Sequence, residues 1–303
     1  MTEAQRKFRL QVIIAFALVY VLWGSTYLGI RIAVDHIPPA LMGASRFVIS
    51  GALMLVFCGV IGWKIRVTRK ELLRLSAIGV LLLTAGNVGL GWAETYIPTG
   101  LAALLIAITP LWFLLLERIG ERGDRISKRG VAGLALGIVG VLVLLWPRLT
   151  AGAGLGRQEL FGAGIVLCSS FSWASGSVLS KRWHMDVDPY VASGWEMLIA
   201  GIVNTVLAAA IGDFGRVEWA TNSILAVVYL IVAGSWIGFT AYVWLLRNVP
   251  TTKVATYAYV NPIVAVFLGW LVLDERIDRY IVAGAVIVVI SVVLITGATV
   301  RSK

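Results

Sequence analysis

Two charged residues stand inside long apolar runs of this 303-residue chain: Arg46, shortly after Pro39, and Glu196, at the matching place after Pro189. An ionised side chain at membrane depth costs at least a few kcal/mol unless it is paired or hydrated. Two roles therefore compete. The structural one is a buried Arg46–Glu196 pair, or separate bonds to backbone carbonyls, holding two parts of a bundle in register. The functional one is handling of a substrate or a proton. We expect the structural role. A third acid, Glu94, follows Trp92-Ala93 and is expected near an interface, where its carboxylate stays hydrated. Glu94 and Glu196 are the candidates for proton binding.

The other candidates are neutral. Trp23, Ser25 and Tyr27 fall in the middle of an apolar run, where tryptophan is less usual than at membrane interfaces. Trp173 and Ser177 repeat that pattern. Asn87, Trp92, Trp112, Trp236, Tyr257 and Asn261 complete a set whose rings could stack on an apolar solute while amides and hydroxyls meet its polar groups. Packing is the competing reading, since small and hydroxyl residues let helices approach closely. Pro110 and Pro262 are expected to kink helices and free a backbone carbonyl one turn earlier. Catalytic chemistry has little material. His36 and His184 lie near the ends of apolar runs, and no HExxH, CxxC, Walker A or GxSxG pattern occurs. We expect no enzyme activity, no metal site and no cofactor. Cys58 and Cys168 are expected to pack as small apolar residues.

The elements that must carry these residues are membrane helices. The chain is 59% hydrophobic, and runs of roughly 18 to 20 apolar residues can cross a bilayer as helices. Ten are expected, near Leu10–Val34, Ala40–Gly62, Leu72–Trp92, Pro98–Leu116, Gly130–Trp146, Leu160–Ser180, Tyr190–Gly212, Ser223–Leu246, Val254–Val272 and Tyr280–Gly297. The net charge of +10 might point to nucleic acid, but most of the 26 Lys and Arg fall in segments that share one side when the N-terminus is cytoplasmic. That is the positive-inside pattern with both termini cytoplasmic, and it argues against nucleic acid.

The chain also repeats itself. Trp23, Pro39, Gly51 and Gly62 align with Trp173, Pro189, Gly201 and Gly212, and Pro98, Thr99 and Pro110 align with Pro250, Thr251 and Pro262. Two halves, 1–150 and 151–303, of five spans each would be inverted relative to one another. The basic loop after Glu117 and the acidic loop from Asp274 have the charge signs that inversion requires. The Gly-rich stretch Gly152–Gly156 reads as a flexible connector, and Gly133-Leu-Ala-Leu-Gly137 as a packing motif.

Trp-Gly-Ser-Thr in the first span, Arg46 in the second, and Thr-Gly-Leu-Ala-Ala-Leu-Leu before Thr109-Pro110 resemble the drug/metabolite transporter superfamily, EamA family. The resemblance implies an all-α membrane protein in which the first four spans of each half surround a central cavity and the fifth and tenth are peripheral. It also implies export of amino acids or related metabolites from a bacterial inner membrane, and the Trp and Tyr content is similar to that of aromatic amino-acid exporters. The expected partners are a small-molecule substrate, amino acids or amphiphilic metabolites, and the lipid bilayer. The alternatives are a passive channel or facilitator and a non-transporting membrane scaffold. Oligomeric state is not readable from the sequence.

Overall fold

The structure, a computed structural model, describes residues 3–97, 102, 105–106, 108–118, 128–150, 157–273 and 279–296. Among these there is no strand. The helices are α1 (Glu3–Val34), α2 (Pro39–Val60), α3 (Arg69–Ala93), α4 (Thr109–Arg118), α5 (Lys128–Thr150), α6 (Arg157–Arg182), α7 (Pro189–Ala210), α8 (Thr221–Asn248), α9 (Tyr257–Leu273) and α10 (Arg279–Thr296). A single turn, Thr251–Val254, precedes α9. Six of them (α1, α2, α3, α6, α7 and α8) are long and apolar enough to cross a membrane. Their outward faces carry Val21, Val56, Leu73, Val206 and Leu225, all more than half exposed, as suits a bundle whose solvent is lipid.

Local chemistry explains where the helices begin and end. Proline opens both α2 and α7, where its missing N–H is no loss, and Asp188 accepts a hydrogen bond from the Tyr190 N–H at 2.8 Å. Thr68 and Glu71 form a reciprocal capping box at the start of α3. After α2 and α7 the chain turns through Gly62 and Gly212, with φ of 81° and 77°. A side chain at either would be strained.

Glycines set the packing. A Cβ on Gly51 would lie 2.3 Å from the Leu198 nitrogen, and one on Gly201 2.4 Å from the Val48 nitrogen, so α2 and α7 touch backbone to backbone and run antiparallel. In the Gly133–Gly137 motif, the Gly133 carbonyl accepts from Ser291 Oγ at 2.6 Å and Gly137 faces Ser291 and Tyr259, which seats α5 on α10. Gly86 and Gly89 admit Trp173 and Ser169 of α6. Trp23 Nε1 donates to the Gly234 carbonyl at 3.1 Å and Ser223 Oγ to Ile32 O at 2.9 Å, so α1 and α8 are antiparallel. On the other side of α1, Gly24 meets Val264 and Tyr20 OH lies 2.5 Å from Thr256 Oγ1, so α1 and α9 are parallel.

Several features depart from expectation. Val80–Val88 of α3 and Leu230–Phe239 of α8 are π-helical, at corresponding places about 150 residues apart. Pro262 lies inside α9, as expected, but Pro110 is the second residue of α4 rather than the middle of a helix. A turn at Ile108 separates it from helical Leu105 and Ile106. Cys58 is buried, whereas Cys168 is exposed on the outer face. Pro98, the connector 151–156 and the loop residues 119–127 and 274–278 lie outside the described residues.

Candidate functional site

Three helices present stripes at i, i+3, i+4 and i+7 spacing to a common cavity, and a fourth adds an i, i+4 pair. Trp23, Thr26, Tyr27 and Ile30 come from α1, Leu83, Gly86, Asn87 and Leu90 from α3, Val166, Ser169, Ser170 and Trp173 from α6, and Tyr257 and Asn261 from α9. Arg46 and Phe47 of α2, Thr109 of α4, and Gly234 and Phe239 of α8 close the walls. None of the described lining residues comes from α5 or α10. The cavity is small, about 70 Å³, room for about five waters.

Aromatic rings fill the space beside it. Trp23 meets Trp173 edge to face at 5.4 Å, Tyr257 at 5.2 Å and Tyr242 at 4.7 Å between centroids. Trp173 Nε1 donates to Tyr242 Oη at 3.0 Å, and Tyr242 Oη lies 2.6 Å from Ser177 Oγ. Both indoles thus keep a partner in an apolar setting, and each ring contact adds about 0.5–1.5 kcal/mol beyond area burial. The cluster and the Tyr20–Thr256 bond below it obstruct the cavity toward the end of the bundle at which α1 begins.

Among the described lining residues the only charge is Arg46, which is 4% exposed. Its Nε donates to Ser235 Oγ at 2.8 Å and its Nη1 to Asn87 Oδ1 at 3.2 Å. Among the described residues no carboxylate pairs with it. The expected Arg46–Glu196 pair is absent, for a geometric reason. Antiparallel α2 and α7 cross between the two positions, at Val48–Gly201 and Gly51–Leu198. Arg46 and Glu196 therefore lie on opposite sides of the crossing, about 9 Å apart along the axes, and Arg46 turns to α3 and α8.

Of the other sequence candidates, Trp23, Tyr27, Asn87, Trp173, Tyr257 and Asn261 line the cavity. Ser177 lies one turn beyond Trp173, in the floor. Ser25 sits off the α1 stripe and bonds Leu22 O and Tyr229 Oη. Trp92 falls two residues past Leu90, roughly 200° around the helix, and is outside the lining. For the same reason Trp236, two residues past Gly234, faces away, donates to Ser50 O at 3.0 Å and lines an outer groove with Phe57, Tyr190 and Trp244. Trp112 stands behind the wall and donates to Ser170 Oγ at 3.0 Å. Sequence reasoning passed over Thr109, Ser169 and Ser170. Only Ser169 and Ser170 carried a signal, their spacing from Trp173.

The EamA-like transporter family matches residues 10–146 and again 160–297. The chain belongs to that family. It is 37% identical over 282 residues to the "Uncharacterized inner membrane transporter YedA" of Escherichia coli K12, covering 93% of this chain and 89% of that protein. The "Probable amino-acid metabolite efflux pump" of the same organism is 25% identical over 289 residues, covering 89% and 90%. A crystal structure of a 21% identical protein superposes with a TM-score of 0.77 over 94% of this chain and 96% of the other, which bears on the fold alone. This EamA-family chain is a multi-pass inner-membrane transporter.

Two acids of this EamA-family bundle are buried with no hydrogen bond to either carboxyl oxygen. Glu94 was expected at a hydrated interface. It is instead 2% exposed, one turn past Leu90 on the cavity stripe of α3, and neither carboxyl oxygen has a hydrogen-bond partner. The α3 stripe turns Glu94 inward, beneath Arg31, whose Nη1 donates to the Glu94 backbone oxygen at 3.3 Å. Glu196 is fully buried where α7 crosses α3 at Gly79, and it too lacks a hydrogen bond.

Proposed function

We propose that the protein is a secondary transporter that exports amino acids or related small metabolites by alternating access through the central cavity. The observation that carries this reading is a cavity walled by α1–α4 and by α6, α8 and α9, apolar and aromatic except for a few hydroxyls, two amides and one guanidinium. At about 70 Å³, room for about five waters, it is too small for a large apolar amino acid such as leucine or phenylalanine, so loading one requires the walls to separate. The aromatic cluster is the part of the wall that must open on the side where α1 begins. The kinship with a protein named as an amino-acid metabolite efflux pump favours that substrate class.

In this reading the chain has ten spans in two inverted halves, 1–150 and 151–303, with both termini cytoplasmic. Paired features support it: proline at the starts of α2 and α7, left-handed Gly62 and Gly212 after their ends, π segments in α3 and α8, and antiparallel α2–α7 and α5–α10 contacts. The test is uptake by liposomes holding the purified protein, across a panel of amino acids, with and without a pH gradient. Saturable uptake accelerated by the same solute on the far side is expected. Non-saturable flux would indicate a channel, and no flux of any solute would sink the transporter reading.

A further inference from the structure

A buried guanidinium without a counter-ion is expensive, and structures retain one where something else supplies the negative charge. Arg46 is such a group. Its two hydrogen bonds go to the neutral acceptors Ser235 Oγ and Asn87 Oδ1. A guanidinium offers five N–H donors in a planar fork, so most remain. The neutral partners hold the fork by Nε and Nη1 and leave Nη2 on the side of Gly234. A Cβ there would lie 2.6 Å from Nη2, so the glycine makes the space in which the guanidinium sits. The remaining walls near it are apolar or aromatic, among them Phe47, Trp23, Trp173 and Tyr257, and none of the described lining residues is acidic.

We propose that Arg46 is the carboxylate anchor of the substrate site, held in place by Asn87, Ser235 and Gly234. The substrate is then a small monocarboxylate with an apolar or aromatic body, and α-amino acids qualify through their carboxylate rather than their ammonium group. A planar carboxylate accepts two parallel N–H bonds from the guanidinium, and its charge replaces the missing counter-ion. The body packs against the rings. An ammonium group is tolerated at ring faces but has no carboxylate of the lining to pair with. Cationic amphiphiles are disfavoured, because they place like charge beside Arg46.

The inference rests on reading the cavity as a substrate site, and binding separates the two. The probes are leucine and phenylalanine, their carboxamides, and the deaminated acids 4-methylpentanoate and 3-phenylpropanoate. Each is titrated against the purified full-length protein in detergent, with tryptophan fluorescence and melting temperature as readouts. Acids with or without the amino group should bind within a few-fold of one another. Carboxamides should bind about tenfold more weakly or worse, the size of one lost charge-assisted hydrogen bond. Arg46→Gln should lose the preference for acids, Arg46→Lys should keep part of it, and Gly234→Ala, which displaces the fork, should narrow the gap between acids and carboxamides.

Equal binding of acids and carboxamides by the wild-type protein would overturn the inference, and that comparison stands even if a variant fails to fold. Absence of binding by every acid, or an Arg46→Gln protein that still prefers acids, would overturn it as well. Flux in liposomes that ignores the carboxylate would overturn the anchor and leave the transporter standing. Carboxylate-selective binding with no flux of any probe would do the reverse.

Discussion

Arg46 and Glu196 hold equivalent positions in the two halves of the sequence, and the structure treats them differently. Arg46 has an amide, a hydroxyl and a cavity, whereas Glu196 has no hydrogen bond and only the longer-range attraction of Arg247. Replacing a buried polar group that lacks a partner by an apolar residue of similar size is often neutral or stabilising, while removing one member of a bonded set leaves the others unpaired. Glu196→Met should therefore melt no lower than the wild type in detergent. Arg46→Met should melt lower, by an amount corresponding to about 1–3 kcal/mol, because the buried Asn87 and Ser235 acceptors lose their donor. A lower melting temperature for Glu196→Met than for Arg46→Met would show that the carboxyl has a partner in the folded protein. The same variant bears on coupling. If Glu196 carries protons, Glu196→Met should lose any stimulation of flux by a pH gradient, and unchanged stimulation would remove it from that role.

At the scale of elements, the α2–α7 crossing depends on two glycines whose hydrogens face backbone. Gly51→Ala puts a methyl 2.3 Å from the Leu198 nitrogen. Backbone cannot swing aside as a flexible side chain does, so the helices must separate, at about 1–3 kcal/mol or more. Gly164, with nothing within 4 Å of an added Cβ, is the control. Gly164→Ala should be neutral or slightly stabilising, because alanine favours a helix over glycine by about 1 kcal/mol. Thermal unfolding of the two variants in one detergent checks the contrast, and similar melting temperatures would contradict the close crossing. The π segments of α3 and α8 carry Asn87 and Gly234, both in the cavity wall. A π turn holds one more residue than an α turn, and such bulges often sit at functional sites. Deleting Leu81 should return α3 to regular α-helix and remove the wide turn that carries Asn87. The protein should still insert and fold, with transport lost. Retained transport would mean that the bulge does not aim Asn87.

For the whole molecule, the reading with inverted halves places the turn after α2 and the turn after α7 on opposite faces of the membrane. With Cys58 and Cys168 replaced, Lys64→Cys should react with an impermeant maleimide only from the cytoplasmic side and Arg216→Cys only from the other. Labelling of both from one side would reject the inversion. The aromatic cluster gives a second check on alternating access. Trp23→Ala removes a ring that touches Trp173, Tyr242 and Tyr257. It should open the floor of the cavity and raise solute leak through the protein, without abolishing insertion.

Much of this was legible in the chain itself. Long apolar runs can be satisfied only as helices in lipid, and glycines and prolines at matching places in two halves mark turns and close contacts whatever their neighbours are. Stripes such as Trp23–Tyr27–Ile30 and Leu83–Asn87–Leu90 follow from helical periodicity once one member of each is known. What periodicity cannot supply is the phase between one helix and the next. Ser25, Trp92 and Trp236 have suitable side chains and lie on the wrong faces, and Glu94 has a charge suited to an interface yet turns inward. The pairing of Arg46 with Glu196 failed for the same reason. Equivalent residues in an inverted repeat meet only at the level where their helices cross, and that level is set by the glycine contacts of α2 and α7 in three dimensions. The sequence by itself determined the apolar helices and the family. Only the tertiary structure decided that the buried guanidinium faces a cavity whose described lining holds no acid, because that depends on rotations and crossing heights that packing alone selects.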